Sequence, residues 1–434
     1  MPKKAKRAPL KVVLAPMNIA DMPAQVARGL RARGHTAEQV HFHNGQGHAF
    51  NFKLDVAPNL KELGGRVKGH GATLKSYLDR DFDIYHFWNK TMFFDLYYND
   101  MTGFDVPLIK ARGKRVIHRF TGFDLRTPKK DKAVNPYSPH HQGYKHVFDE
   151  RRQAKFIDFL GEYVDAFVVA DPEMAQFVPG KANIVPRALD LTQWPVVGVQ
   201  KTDKPLIVHA PSNAVVKGTP HILKAIEELR DEGLSFDFQL IERLSHQEAK
   251  DWYSRADIIV DQILIGATGV LTLEAWALGK PCVVNLRRDL FEPFYDTNDL
   301  PVANANPDTV KDVLRALIKD QEHREDLGKR GRALVEKYHD VTNVIPQYEE
   351  LYYRVLDQPL KAPTGTADID YLMDQGQLAA STRVKVNKLT KELTETQATN
   401  ATLQTQVDTL TASLEDAKQA TQQTFIQRIK NRFL

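Results

Sequence analysis

The stretch best equipped for chemistry runs from Asp257 to Pro281, Asp-Ile-Ile-Val-Asp-Gln-Ile-Leu-Ile-Gly-Ala-Thr-Gly-Val-Leu-Thr-Leu-Glu-Ala-Trp-Ala-Leu-Gly-Lys-Pro. A β-branched run delivers the chain to a turn of small residues, and the turn opens a helix. Gly266 and Gly269 let a ligand approach the backbone. The first free amides of the helix, at Gly269, Val270 and Leu271, point outward with the positive end of its dipole, and a diphosphate suits that rim. Glu274 lies more than one turn further in, where its carboxylate can accept hydrogen bonds from two ribose hydroxyls. A helix-opening Gly-x-x-Gly turn more often serves packing alone, and that reading stands beside the functional one.

Elements that would position such a site are legible as an alternation of strand and helix, the grammar of a doubly wound α/β sheet. Lys11–Ala15 is a compact apolar run that meets Pro16 and Asn18. A helix over Ala24–Arg33 follows, closed by Gly34. Further strands are expected at Asp83–Phe87, Arg115–His118 and Ala166–Ala170. A second series starts at Leu206–His209, with strands at Phe236–Ile241, Ile258–Val260 and Cys282–Asn285. Its helices are expected at His221–Asp231, His246–Ser254, Gly269–Leu278 and Thr309–Ile318, followed by Gln321–His339 and Val344–Leu356.

Composition narrows the classes. With 434 residues, 42% of them hydrophobic, the chain has material for two cores and a tail. The 59 basic and 55 acidic residues leave a net charge of +4, too little for a chain-wide field that holds a nucleic acid. Cys282 is the only cysteine, which excludes an internal disulfide framework and cysteine-ligated zinc, and fits a reducing compartment. The N-terminus is basic, but the apolar run Leu10–Ala15 is too short for a secretory core, and no long window lacks charges. A cytoplasmic protein is expected.

The segment Thr268-Gly269-Val270-Leu271-Thr272-Leu273-Glu274-Ala275-Trp276-Ala277-Leu278-Gly279-Lys280-Pro281 resembles the retaining GT-B glycosyltransferases, family 4 in particular. That family carries Glu-Gly-Phe-Gly…Glu-Ala-Met-Ala-x-Gly-x-Pro in its second domain. The resemblance implies two Rossmann-like domains facing a cleft, with Glu274 as the glutamate that holds the nucleotide ribose. The family's first glutamate falls at Gly266, so contact with the transferred sugar is rearranged there. Val208-His209-Ala210-Pro211-Ser212-Asn213-Ala214-Val215-Val216-Lys217-Gly218 is similar to the strand-to-helix loop that ends in Lys-Gly. This implies that Lys217 neutralises the donor pyrophosphate, and a fixed ammonium there stabilises charge that grows as the glycosidic bond breaks. The family's arginine falls near Ser212, leaving Ser212 or Asn213 to donate hydrogen bonds. Donor contacts are thus expected from Ser212, Asn213, Lys217, Gly218, Thr268, Gly269, Val270, Leu271 and Glu274.

In the first half, Val185-Pro186-Arg187-Ala188-Leu189-Asp190 looks like the interdomain Val-Pro-Asn-Gly-Val-Asp segment, which turns Arg187 toward the cleft. The family's His-Gly-x-Asp loop matches near Thr121-Gly122-Phe123-Asp124, with Thr121 in the histidine slot. His118, on the strand, and Asp124 are the catalytic candidates beside Lys217, while Thr121, Arg126, Arg187 and Gly266 are candidates for acceptor or sugar contact. His35, in a Leu-x-x-x-Gly-His match, reads as structural. No metal and no cofactor are expected, a UDP-sugar is the expected donor, and no Asp-x-Asp turn of the manganese-binding kind is seen in the segments singled out above. Two functions follow, beside an enzymatic rival, a nucleotide-sugar epimerase of similar fold, whose carboxylate and histidine catalytic groups the sequence does not place. One is transfer of a hexosyl-type sugar to a cell-surface polymer, glycolipid or protein; the other is a catalytically reduced subunit that binds a substrate or a partner glycosyltransferase.

The expected organisation is a first Rossmann-like acceptor domain over 1–195, a nucleotide-sugar domain over 196–340, a returning helix over 341–358, a linker over 359–385 and a coiled coil over 386–434. Leu389, Leu393, Thr396, Asn400, Leu403, Val407, Leu410, Leu414 and Ala417 fall on alternating four- and three-residue steps, the spacing of a coiled-coil seam that would make a homo-oligomer. A solvated lone helix is the alternative. The last residues, Phe425, Ile426, Ile429 and Phe433 with Arg428, Lys430 and Arg432, form either a basic amphipathic end, suited to the inner face of the cell membrane, or the frayed tip of the coil.

Overall fold

The computed structural model of the protein describes residues 7–42, 54–89, 103, 105–146, 150–360 and 369–433. The chain divides into two compact units, Met1–Met373 and Asp374–Leu434. The basic residues before Arg7 lie outside the described residues.

The first unit is built on two all-parallel sheets. The first holds β1 (Lys11–Ala15), β2 (Thr36–Gln39), β3 (Ile84–Trp88), β4 (Arg115–Arg119), β5 (Ala166–Val169) and β6 (Ala182–Ile184), in the order β2-β1-β3-β4-β5-β6. The second holds β7 (Leu206–His209), β8 (Asp237–Leu240), β9 (Ile258–Val260), β10 (Cys282–Val284) and β11 (Ala303–Asn304), in the order β11-β10-β9-β7-β8. Central strands such as β3, β4, β9 and β10 are buried along their whole length, as strands covered by helices on both faces must be. In each sheet the order reverses at one point, between β1 and β3 and between β7 and β9. Ligands of open α/β sheets bind outside the carboxyl ends of the strands at such a point.

Helix Met22–Ala32 follows β1 and buries Val26, Ala27 and Leu30. On it lies the helix Val341–Asp357, which belongs to the core of the first sheet through Val344, Ile345, Tyr348, Tyr352 and Val355. The contact is close because Gly29 has no side chain: a Cβ there would stand 2.4 Å from Cγ1 of Ile345. In the second half, helix Gln321–Tyr338 packs on helix Val270–Ala277. Gly328 and Gly331 make that possible, since a Cβ would stand 2.1 Å from the Gly279 carbonyl oxygen and 2.5 Å from the Trp276 ring, respectively.

The backbone crosses between the two sheets twice, through the segment after β6 and through the start of helix Val341–Asp357. The crossings are bonded to each other. Leu189 N donates to the His339 carbonyl at 2.8 Å, and Val341 N donates to the Leu189 carbonyl at 3.0 Å.

The second unit consists of one helix, Ile369–Phe433, whose first residues belong to the end of the first unit. It begins inside the stretch expected to be linker, because the helix-breaking residues Pro359, Pro363 and Gly365 end before it and Leu372, Met373, Gln377, Leu378 and Ala379 are good helix formers. Its described side chains, from Val384 to Thr421, are all exposed. Side chains of the expected amphipathic end, Phe425–Phe433, lie outside those described. Among the described residues no helix is long and apolar enough to cross a membrane.

Candidate active site

The turn after β9 is organised by a carboxylate that the sequence had not marked. Asp261, fully buried, accepts from the Gly269 amide (3.1 Å), the Thr272 amide (3.2 Å) and the Thr272 hydroxyl (2.6 Å). Its other oxygen meets the Lys217 ammonium at 2.6 Å, and Lys217 also donates to the Gln262 side-chain carbonyl at 2.8 Å. Burial alone pushes the Asp261 carboxyl upward; the Lys217 charge and the Thr272 hydroxyl outweigh it and hold the group below its usual range. The Lys217 charge is therefore already matched inside the protein. So are two amides at the start of helix Val270–Ala277, leaving those of Val270 and Leu271 without a partner among the described residues.

Each glycine of this turn also has an occupant of its own. A Cβ on Gly269 would meet the Asp261 carboxylate oxygen at 2.3 Å, so it is the protein's own anion that approaches the backbone there. A Cβ on Gly266 would meet Cγ of Arg287 at 2.6 Å, and the Arg287 guanidinium reaches Asp289 and the Val134 carbonyl. Gly218, at φ +81°, caps the short helix Ala214–Lys217, and a Cβ there would stand 2.6 Å from Ile263.

Glu274 lies on the other side of the same helix, at a cleft. Its carboxylate pairs with His246 Nε2 at 2.8 Å. That hydrogen bond, against partial burial, raises the His246 pKa above its ordinary value. His246 opens helix His246–Arg255, whose start is fixed by a reciprocal cap between Ser245 and Glu248. Beside the pair, the Trp194 ring meets His246 edge-on at 5.9 Å and carries the Lys250 ammonium 4.4 Å from its centre. The facing wall comes from the first sheet's side: Asp21 and Gln25 at the start of helix Met22–Ala32, and Arg187. Ala20 and Asp21 both have positive φ, 48° and 60°. Consecutive non-glycine residues in that region are strained, and such strain concentrates at ligand sites. The cleft encloses about 130 Å³. A whole-ligand pocket takes roughly 300–1,000 Å³, so this space fits a ribose-sized fragment, with the rest of a ligand along its open mouth.

The cleft thus brings together Glu274, Val270 and Arg187 of the residues singled out by sequence. Arg187 is held by Asp171 at 3.0 Å. The other candidates stand apart from it. His118 is fully buried against the rings of Phe120 and Phe156, and burial lowers its pKa to about 3. Asp124, also buried, accepts from the Thr121 and Gly122 amides and so ties its own loop; burial outweighs those bonds and raises it to about 6. Thr121 accepts from Asn89 at 2.7 Å. Arg126 is buried in a bidentate pair with Glu173. Ser212 is exposed, the Asn213 side chain caps the Val216 amide at 3.0 Å, and Thr268 is buried. Leu271 is buried with its amide facing the helix start. Sequence reasoning missed Asp261, His246 and Trp194. Only Ser245-x-x-Glu248 carried a signal, a helix cap placing His246 at a helix start.

Comparison with known proteins bears on this arrangement. Residues 222–350 match a family described as glycosyl transferase-like. No curated protein sequence matches the chain. Among solved structures, the chain is similar to sucrose-phosphate synthase from Thermosynechococcus elongatus, with a TM-score of 0.54 and 13% identity, over 80% of this chain and 99% of that one. It is likewise similar to the catalytic domain of starch synthase IV from Arabidopsis thaliana, solved with ADP and acarbose, at a TM-score of 0.56 and 13% identity, over 81% and 100% of the two chains. At that identity the likeness is one of fold. The protein therefore has the GT-B fold of two facing Rossmann-like sheets, and residues 222–350, spanning β8 to β11 of the second, match a glycosyl transferase-like family.

Proposed function

We propose that the chain is a glycosyltransferase that moves a hexosyl-type sugar from a nucleotide diphosphate sugar, a UDP-sugar first among them, with retention of configuration and without a metal. The observation that carries this reading is the Glu274–His246 pair facing a cleft walled by both Rossmann-like halves and lined by Val270, whose amide has no partner among the described residues. The Glu274 carboxylate accepts from ribose hydroxyls while His246 fixes its orientation. The amides of Val270 and Leu271 take a phosphoryl oxygen at the positive end of their helix. Lys217, oriented by Asp261 and Gln262, supplies positive charge to the departing diphosphate, where it counts more in the transition state than before it. The acceptor is a cell-surface polymer, glycolipid or protein, reached at the inner membrane face by the basic C-terminal end.

A second reading, a reduced subunit that binds without transferring, has its own support: Asp261 already neutralises Lys217, and the Arg287 stem fills the space beside Gly266. Incubating the full chain with single nucleotide sugars separates the two. Slow release of free UDP, with a donor KM that Glu274→Gln raises, supports transfer. Saturable binding with no release supports the subunit, and neither binding nor release removes both. For the membrane part, deleting Phe425–Leu434 is expected to abolish binding to anionic vesicles; unchanged binding refutes it.

A further inference from the structure

Among the described residues, the helix Ile369–Phe433 carries a long stripe of exposed apolar side chains. Val384, Val386, Leu389, Leu393, Leu403, Val407, Leu410 and Leu414 are all exposed large hydrophobic residues, between 52% and 70% accessible. All but Val384 fall on two positions of one heptad. With Val386 at a, the a positions are Val386, Leu393, Asn400, Val407 and Leu414, and the d positions are Leu389, Thr396, Leu403, Leu410 and Ala417. A stripe with this repeat winds around a partner carrying the same repeat and not around a globular surface.

We propose that this helix pairs with a second copy of itself as a parallel, two-stranded, in-register coiled coil, and that Asn400 sets both strand number and register. Three observations choose the occupant. First, Asn400 interrupts the apolar seam at an a position. Its amide is satisfied there only by a group of the same kind at the same level, which an identical chain running in the same direction supplies. Second, two of the four apolar a positions, Val386 and Val407, are β-branched, Leu393 and Leu414 being the others, and d carries Leu389, Leu403 and Leu410; β-branched residues at a over leucine at d favour two strands. Third, the flanks do not oppose a second copy. In the parallel pairing Glu392 faces Gln397, Thr399 faces Gln404, Gln406 faces Thr411 and Ser413 faces Lys418, so no like charges meet. The nearby lysines are matched within their own helix, Lys388 with Glu392 and Lys391 with Glu395. Thr396 does not spoil the seam, since its hydroxyl donates to the Glu392 carbonyl at 2.8 Å and leaves the methyl for packing.

The test uses the full chain. Sedimentation equilibrium is expected to give twice the chain mass of 49.2 kDa. The variant Leu403→Glu/Leu410→Glu is expected to sediment as a monomer while keeping the thermal transition of the first unit. Orientation is read from Leu389→Cys, about 16 Å along the helix from Asn400 at 1.5 Å per residue. A parallel in-register pair places the two introduced thiols face to face, and mild oxidation then links the chains; the native Cys282 is fully buried and does not compete. Asn400→Leu is expected to yield a mixture including three or more strands. A monomeric wild-type chain at micromolar concentration, a trimer or tetramer, no crosslink through Leu389→Cys, or an Asn400→Leu variant that stays strictly two-stranded would each overturn the proposal.

Discussion

Replacing Lys217 by alanine separates what this residue does for the fold from what it does for a ligand. The substitution strips a fully buried carboxylate, Asp261, of its ammonium partner while leaving it the Gly269 amide, the Thr272 amide and the Thr272 hydroxyl. Breaking a buried pair from one side costs about 3–5 kcal/mol. The low end applies here, because three donors remain and the Lys217 side chain is itself 13% exposed. At roughly 2 °C per kcal/mol for a unit of this size, Tm should fall by about 6 °C. Turnover of donor should fall by about a hundredfold, the loss on removing one charge-stabilising donor. The informative variant is Lys217→Met/Asp261→Asn, which removes both charges together. Stability should return to within about 1 kcal/mol of the wild type, because no unpaired charge stays buried. Turnover should not return. Differential scanning calorimetry and nucleotide release, measured on the same preparations, decide the matter. If the double variant recovers activity along with stability, Lys217 only neutralises Asp261; if Lys217→Ala melts like the wild type, the pair contributes nothing to the fold.

Three further outcomes are expected. Glu274→Gln should raise the donor KM at least tenfold with a smaller change in kcat, since a ribose contact is made in ground and transition states alike; an unchanged KM removes Glu274 from the donor site. The His246 pKa is raised in the folded chain by Glu274, so the pair's contribution is fully present below the ordinary histidine value of about 6.5 and fades as pH climbs through the raised folded value. The Tm difference between wild type and His246→Gln should therefore shrink as pH rises above about 6.5, and a difference that grows with pH contradicts the assignment. Gly266→Glu should destabilise the chain by about 1–3 kcal/mol through collision with the Arg287 stem, and adding Arg287→Ala should relieve most of that; a single variant as stable as wild type shows that Arg287 moves aside freely.

Much of the scaffold was legible because its central strands are apolar from end to end. Leu206–His209 and Ile258–Val260 begin and end where the hydrophobic runs do. The strands that escaped notice, Thr36–Gln39, Ala182–Ile184 and Ala303–Asn304, are short edge strands with mixed polarity, held by the neighbour they pair with and not by their own pattern. Site residues were legible in a different degree. Glu274 and Val270 could be placed because they belong to one continuous strand–turn–helix segment. Asp261 sits at the end of an apolar run, and its partner Lys217 lies 44 residues away, a separation that no local pattern bridges. Small residues misled in an instructive way. A glycine that admits a ligand and a glycine that admits the protein's own carboxylate look the same in a sequence, and at Gly269 it is the Asp261 oxygen that fills the space.

The laced crossings at Leu189 and His339–Val341 have a mechanical consequence. Because the two connecting segments run side by side and are bonded to each other, they form a single flexible line and not two separate tethers. The halves of the molecule can fold toward one another about that line, as a book closes on its spine, but sliding or counter-rotation would have to tear its bonds. Rotation about that line changes the width of the cleft while keeping its two margins, Asp21 on one side and Glu274 on the other, in the same register.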